Sequence, residues 1–151
     1  MRTTAKADYA VRAAIELARH EGGPTKGEAI ATAQAIPLKF LENILIDLRH
    51  AGLVRSQRGA EGGYWLARPA GEVSVADIIR AVEGPLATVR GTPPEEIDYP
   101  KGAQELQRVW IAVRTALRGV AENVSLADLA GEALPARVEK LAAEPESWKT
   151  R

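Results

Sequence analysis

At 151 residues, 46% of them hydrophobic, the chain can bury one core, and it contains no cysteine. The missing thiols exclude disulfides, thiolate metal ligands, clusters held by cysteine, and thiol redox switching. Lys and Arg balance Asp and Glu at 20 each, yet residues 1–68 carry 10 against 7 and residues 69–151 carry 10 against 13, a mildly basic front and a mildly acidic back.

No stretch approaches the roughly 18 uninterrupted apolar residues of a membrane span. The opening residues lack the apolar core of a secretory signal, so a cytoplasmic protein is expected. Val11, Ala14, Ile15 and Ala18 recur at helical spacing and predict a first helix that stops at Glu21-Gly22-Gly23-Pro24. Thr25 and Glu28 have the spacing of a capping box, which opens a short second helix with Ile30 and Ala33 inward. Pro37 opens a third helix, where its missing N–H costs nothing. Its predicted buried stripe is Leu38, Leu41, Leu45 and Leu48, which turns Lys39, Glu42, Asn43, Ile46 and Arg49 elsewhere. Gly52 follows as the residue that ends the helix.

Leu53–Gln57 and Tyr64–Ala67 then read as two strands around an arginine- and glycine-bearing tip, Arg58-Gly-Ala-Glu-Gly-Gly63. Ser74 and Asp77 cap a fourth helix with the stripe Val75, Ile78, Ile79 and Val82, stopped by Gly84-Pro85. Residues 88–102 hold three prolines and two glycines without periodicity, a loop of the length associated with function or disorder. The longest helical pattern follows, with Leu106, Val109, Trp110, Val113, Leu117 and Val120 in one stripe. Ser125 and Asp128 cap a further short helix, and no internal repeat is apparent. The fold class is mainly α. It consists of a winged helix-turn-helix over residues 1–84 with a two-stranded β-wing, a loop over 85–102, and a long helix with C-terminal helices over 103–151.

A helix pair followed by a basic hairpin holds one helix in the DNA major groove with a β-wing beside it. Near the start of the third helix, Lys39 suits a guanine edge or a phosphate, Glu42 a cytosine amino group, and Asn43 an adenine. Arg49 lies further along the same outer face. Arg58, beside Gly59, suits a narrow minor groove. Arg55 and Arg68 suit phosphates, which position the protein without reading sequence. Arg2, Thr4 and Lys6 lie where the first helix exposes N–H groups that favour anions. Gly59, Gly62 and Gly63 are not a nucleotide loop, because a strand and not a helix follows them. Tyr64 and Trp65 alternate faces, one packing on the helices and the other covering the wing. His20 and His50 lie near helix C-termini and are too few for a metal site. Glu95, Glu96 and Asp98 have oxygens that suit a hard cation, although flexible acidic loops ordinarily bind none. Catalytic signatures such as HExxH, GxSxG and a Walker loop are absent from the sequence, so no enzyme and no cofactor are expected.

The segments TTAKADYAVRAAIELA, IPLKFLENILIDLRHAGLVRSQRGAEGGYWLARP, EVSVADIIRAVEGPLA and VSLADLAG together resemble the Rrf-two family of bacterial regulators, the IscR/NsrR/CymR type. The likeness is close over residues 1–90 and looser beyond. It implies a dimeric winged-helix transcription factor whose chains pair through the helix near 103–121, which carries Leu106, Val109, Trp110, Val113, Leu117 and Val120. It also implies base contacts for the positions of Lys39 and Glu42, and a minor-groove arginine at Arg58. Many members hold an iron–sulfur cluster on three cysteines just after the EGPLA-like segment, and some take a fourth ligand from the position of Asp8. Here those cysteines are missing. The expectation is therefore a homodimeric regulator, a repressor on a pseudo-palindromic double-stranded operator, with a cysteine-independent input from a small molecule or a protein partner. The alternative is a protein-interaction module using Phe40 and Ile46 on the third helix.

Overall fold

The computed structural model describes residues 2–151. Helix α1 (Ala5–Arg19) starts at Thr4, whose side chain accepts from the Ala7 N–H. Its buried side is a row of small residues, Ala7, Ala10, Ala13, Ala14 and Ala18 with Leu17, and Val11 and Ile15 are half-buried at the margin. Small side chains let neighbouring elements approach closely, and α1 accordingly packs against α2 (Gly27–Gln34), α3 (Leu38–His50), α4 (Val75–Glu83), α6 (Leu126–Ala130) and the second wing strand. It is the axle of the fold.

Three sequence expectations are corrected here. Thr25 does not cap α2: the helix begins after Lys26 without a side-chain cap. The backbone of Thr25 instead exchanges two 2.8 Å hydrogen bonds with Tyr64, so the residue serves the wing. In α2 it is Ala31, not Ala33, that joins Ile30 in the core, because the helix is short and ends at Ala35 in a left-handed conformation. In α3 the buried set is Leu41, Ile44, Leu45 and Leu48. Leu38 lies at the rim beside Gly27 and remains 37% exposed. Pro37 is the residue just before the first helical turn.

The wing pairs β1 (Val54–Gln57) with β2 (Gly63–Leu66) antiparallel, with Arg55 opposite Trp65 and Ser56 opposite Tyr64. The Thr25 bridge adds a short third rung at β2. Val54, Tyr64 and Leu66 turn to the core.

A five-residue pattern, Val-Ser-x-Ala-Asp, occurs twice, at 73–77 and 124–128, contrary to the expectation of no repeat. Each copy forms a reciprocal capping box, at the starts of α4 and α6. The copies also pair with each other: Val75 N–H donates to Val124 O and Leu126 N–H to Val73 O, both at 2.9 Å. Arg80 adds an ion pair with Glu122. Val73, Ala76, Val124 and Leu126 are buried in this clamp, which returns the chain to the helix pack after α5 (Glu105–Ala121). Replacing Ser125 with Ala removes one cap, worth about 1 kcal/mol. Thermal unfolding followed by circular dichroism is expected to shift down by about 2–4 °C; an unchanged midpoint would show that the clamp bears no load.

Residues 88–102 are more ordered than expected. Val89 and Thr92 form a tight bridge, Pro94–Glu96 makes a helical turn, and Pro94 and Ile97 are buried. Gln107 donates its amide N–H to the carbonyls of Pro94 (3.1 Å), Glu95 (3.4 Å) and Ile97 (3.1 Å), and Arg114 pairs with Glu95 at 2.6 Å. Glu95's own backbone hydrogen bond and the Arg114 guanidinium hold its carboxyl below the usual glutamate range. The latch is therefore fully charged at neutral pH and loosens only as pH falls through that lowered value. Helix α7 (Ala136–Ala143) follows, with Arg137 beside Gly119 of α5, and a helical turn at Pro145–Trp148 comes after it. No single helix among the described residues is long and apolar enough to cross a membrane.

Candidate nucleic-acid interface

Burying Leu41, Ile44, Leu45 and Leu48 fixes the rotation of α3. Lys39, Glu42, Asn43, Ile46 and Arg49 are consequently all exposed on its outer side. That side carries one cation, one anion and one amide within its first turn and a half, the donor and acceptor mix that distinguishes base pairs in a major groove. Phe40 is 42% exposed beside this face. Its ring meets Tyr9 edge-on, with centroids 5.5 Å apart, and Arg12 lies 4.7 Å over the Tyr9 ring. Lys6 makes a 2.7 Å ion pair with Asp47. It braces α1 against α3. Arg2 is exposed.

The wing stands next to the end of α3. Arg49 donates to Ser56 Oγ at 3.1 Å, which ties the last turn of α3 to β1. A cleft of about 530 Å³ between them is lined by Arg49, Arg55, Ser56, Trp65 and Arg68. Three guanidiniums around one hollow form a surface suited to phosphate oxygens. Arg58 is exposed at the wing tip.

Lys26, which the sequence reading passed over, donates from Nζ to Gly59 O at 2.7 Å and steadies that tip. Only its charge at a helix start marked it, and the contact spans 33 residues. The glycines divide by role. Gly59 has φ +102° with nothing near its absent side chain. At Gly62 a Cβ would lie 2.1 Å from Gln57 O, and at Gly63 2.6 Å from Thr25 O. These two are small because the chain's own backbone lies against them.

On α5, Gln107 and Arg114 face the 94–97 turn. The adjoining stripe is left uncovered: Val109 is 51% exposed, Leu106 and Leu117 are exposed, and Trp110, Val113 and Val120 are half-buried. None of the 17 residues of α5 is buried. Asp8 is exposed and pairs with Arg12 at 3.2 Å. His20 uses Nδ1 on Glu16 O at 2.9 Å, and His50 is exposed.

Comparison with known proteins agrees with this geometry. A model of the Rrf2 family, described as "Iron-dependent Transcriptional regulator", matches residues 3–132. The protein Rv1287 of Mycobacterium tuberculosis is 49% identical over 143 residues, covering 94% of this chain and 89% of the relative. The HTH-type transcriptional regulator CymR of Bacillus subtilis is 37% identical over 131 residues, covering 86% and 90%. Among solved structures, CymR (YrzC), the global cysteine regulator of B. subtilis, superposes with a TM-score of 0.74 at 34% identity, over 88% of this chain and 98% of that one. IscR of T. potens gives 0.69 at 32% identity, over 100% and 93%.

The iron in that family description does not fit the donors of this chain. There is no cysteine, and the described residues contain no group of three or more His, Asp or Glu able to converge on an ion. Asp8 is committed to Arg12 and Glu95 to Arg114. A cluster needs several thiolates or imidazoles, and lone carboxylates do not supply them.

Proposed function

The chain belongs to the Rrf2 family of DNA-binding transcriptional regulators, and from that premise we propose that it acts as a homodimeric repressor on a pseudo-palindromic operator. Two copies pair through the uncovered stripe of α5 and place their α3 helices in major grooves about one helical turn, or a multiple, apart. Lys39, Glu42 and Asn43 read base edges, Arg49, Arg55 and Arg68 grip phosphates with Arg2 and Lys6 at the start of α1, and Arg58 enters the minor groove with Gly59 beside it. Residues 1–84 are the reading unit, with α6 clamped back onto it. Residues 85–102 are the input segment, and 103–151 hold the dimer. The input is a small molecule or a protein partner, and the protein works in the cytoplasm on the nucleoid. The observation that carries the reading is the outer side of α3: Lys39, Glu42, Asn43, Ile46 and Arg49, all exposed, beside a hollow whose lining includes three arginines.

Genomic fragments bound by the protein supply the operator. On it, Arg58→Ala is expected to weaken binding by about tenfold or more and to flatten the salt dependence by roughly one charge. Glu42→Ala is expected to relax preference at one base pair, with most of the affinity kept. Mobility-shift titrations at two salt concentrations measure both. Equal binding by Arg58→Ala and wild type at both salts would remove the wing from the interface.

A further inference from the structure

A second cleft, which shares Trp65, Ala67 and Arg68 with the first, lies at the root of the wing. It has a volume of about 500 Å³, and its lining includes Leu17, His20, Pro24, Gln57, Trp65 and Arg68. No residue of α3 lines it. We propose that this cleft binds small planar carboxylic acids, and that a bound acid takes Arg68 away from DNA. The proposal rests on the reading above only in taking the chain as a regulator with a chemical input; it adds a site apart from residues 85–102, none of which lines this cleft, and names the ligand class.

The lining has the composition of a small-molecule site, an apolar body with a few convergent polar groups. Leu17 and Pro24 form apolar walls, and the half-buried Trp65 indole offers a flat plate for a planar ring. Gln57 brings an amide, and Trp65 an N–H. His20 is anchored through Nδ1 to Glu16 O, which leaves Nε2 for a ligand's hydroxyl. The lining has one acid, Glu21, whose Oε1 accepts from Ala70 N–H at 2.9 Å. No ion pair or hydrogen bond among the described residues engages the Arg68 guanidinium, which is exposed. A guanidinium fork beside an aromatic plate matches a carboxylate on a planar ring.

Arg68 and Trp65 line both clefts, this one and the arginine-ringed hollow beside α3. One guanidinium cannot serve a ligand carboxylate and a DNA phosphate together. Ligand binding and operator binding therefore oppose each other, and by linkage each weakens the other by the same factor. The cleft also touches the loop before Thr25 and the strand end before Arg58, so the occupied site adjoins both the wing's anchor and its tip.

The test uses the full chain free of DNA, with 4-hydroxybenzoate as probe and 4-hydroxybenzamide and inorganic phosphate as controls. Nuclear magnetic resonance follows the three tryptophan indole N–H signals, with Trp65 assigned through Trp65→Phe. The expected result is a saturable shift confined to the Trp65 signal, weaker by about tenfold or more for the amide or in Arg68→Ala, as loss of a charge-assisted contact implies. Saturating 4-hydroxybenzoate is then expected to weaken operator binding several-fold in wild type and to leave the residual binding of Arg68→Ala unchanged. The proposal is overturned if the Trp65 signal does not move, if all three indoles drift together without saturation, if the amide or phosphate binds as well, or if operator affinity is indifferent to a saturated site. A protein that binds its operator but not the probe disproves the ligand site alone. A protein that binds the probe but no operator disproves the regulatory reading, and the indole signals still decide the cleft.

Discussion

Gly63→Ala is expected to dismantle the wing. Gly63 has φ +150°, a conformation L side chains rarely adopt, and an added Cβ would stand 2.6 Å from Thr25 O and 2.8 Å from Thr25 C. Those atoms are backbone, so no rotamer change relieves the clash. Relief requires Thr25 to move, and its two 2.8 Å hydrogen bonds with Tyr64 are the bridge that seats β2 on the helices. Backbone strain of this kind costs about 1–3 kcal/mol, and breaking the bridge adds to it, so a total loss of about 2–4 kcal/mol is expected, at the high end for point mutants. Operator binding should fall further than stability, because the displaced hairpin carries Arg55 and Arg58. Gly59→Ala is the control. It meets nothing within 4 Å and suffers only its φ of +102°, so a loss nearer 1 kcal/mol is expected. Chemical denaturation of both variants measures the difference. Equal midpoints for Gly63→Ala and Gly59→Ala would refute the account of the wing's seating.

The second large effect is expected on α5. Val109 is 51% exposed at the centre of a stripe with Leu106, Val113 and Leu117. In a lone chain Val109→Lys changes an exposed residue and leaves the core of α1, α3, α4 and α6 untouched. In a dimer built on that stripe it places two like charges in an apolar seam. The mass by light scattering is expected to fall from about twice 16.2 kDa to 16.2 kDa, with the thermal midpoint of each chain's core little changed. Operator affinity is expected to fall by about 100-fold or more, since pairing makes the second half-site contact intramolecular at an effective concentration near millimolar. A Val109→Lys protein that keeps twice the chain mass would place the dimer contact elsewhere.

What could be read from the chain follows from how local each interaction is. Ser74 with Asp77, and Ser125 with Asp128, satisfy one another within a single turn, and both capping boxes formed as expected. Thr25 and Glu28 have the same spacing, but Tyr64 lies 39 positions away and recruits the Thr25 backbone, which no local pattern encodes. Leu38 and Ile44 were equally compatible with the apolar side of α3. Leu38 sits at the rim beside Gly27 and stays 37% exposed, whereas Ile44 is buried. The outer set of Lys39, Glu42, Asn43, Ile46 and Arg49 followed from the rest of the stripe and did not depend on that choice. The Lys6–Asp47 ion pair joins residues 41 apart in sequence, a partner that no local pattern marks. The wing-root cleft is assembled from the end of α1, the loop after it and the outer strand face, three pieces whose meeting is purely tertiary.

The absence of cysteine makes the central claim directly measurable, because a single introduced thiol carries a probe without background. Asn43→Cys and Arg58→Cys, each conjugated to an iron–EDTA cleavage reagent, should cut operator DNA from within it. Cuts from Asn43→Cys are expected with the strand offset of the major groove, and those from Arg58→Cys with the opposite offset of the minor groove, in two clusters related by the operator's symmetry. Glu139→Cys on α7 should cut only at background. Strong cleavage from position 139 with none from position 43, in a protein that still binds, would contradict the placement of α3 against the bases.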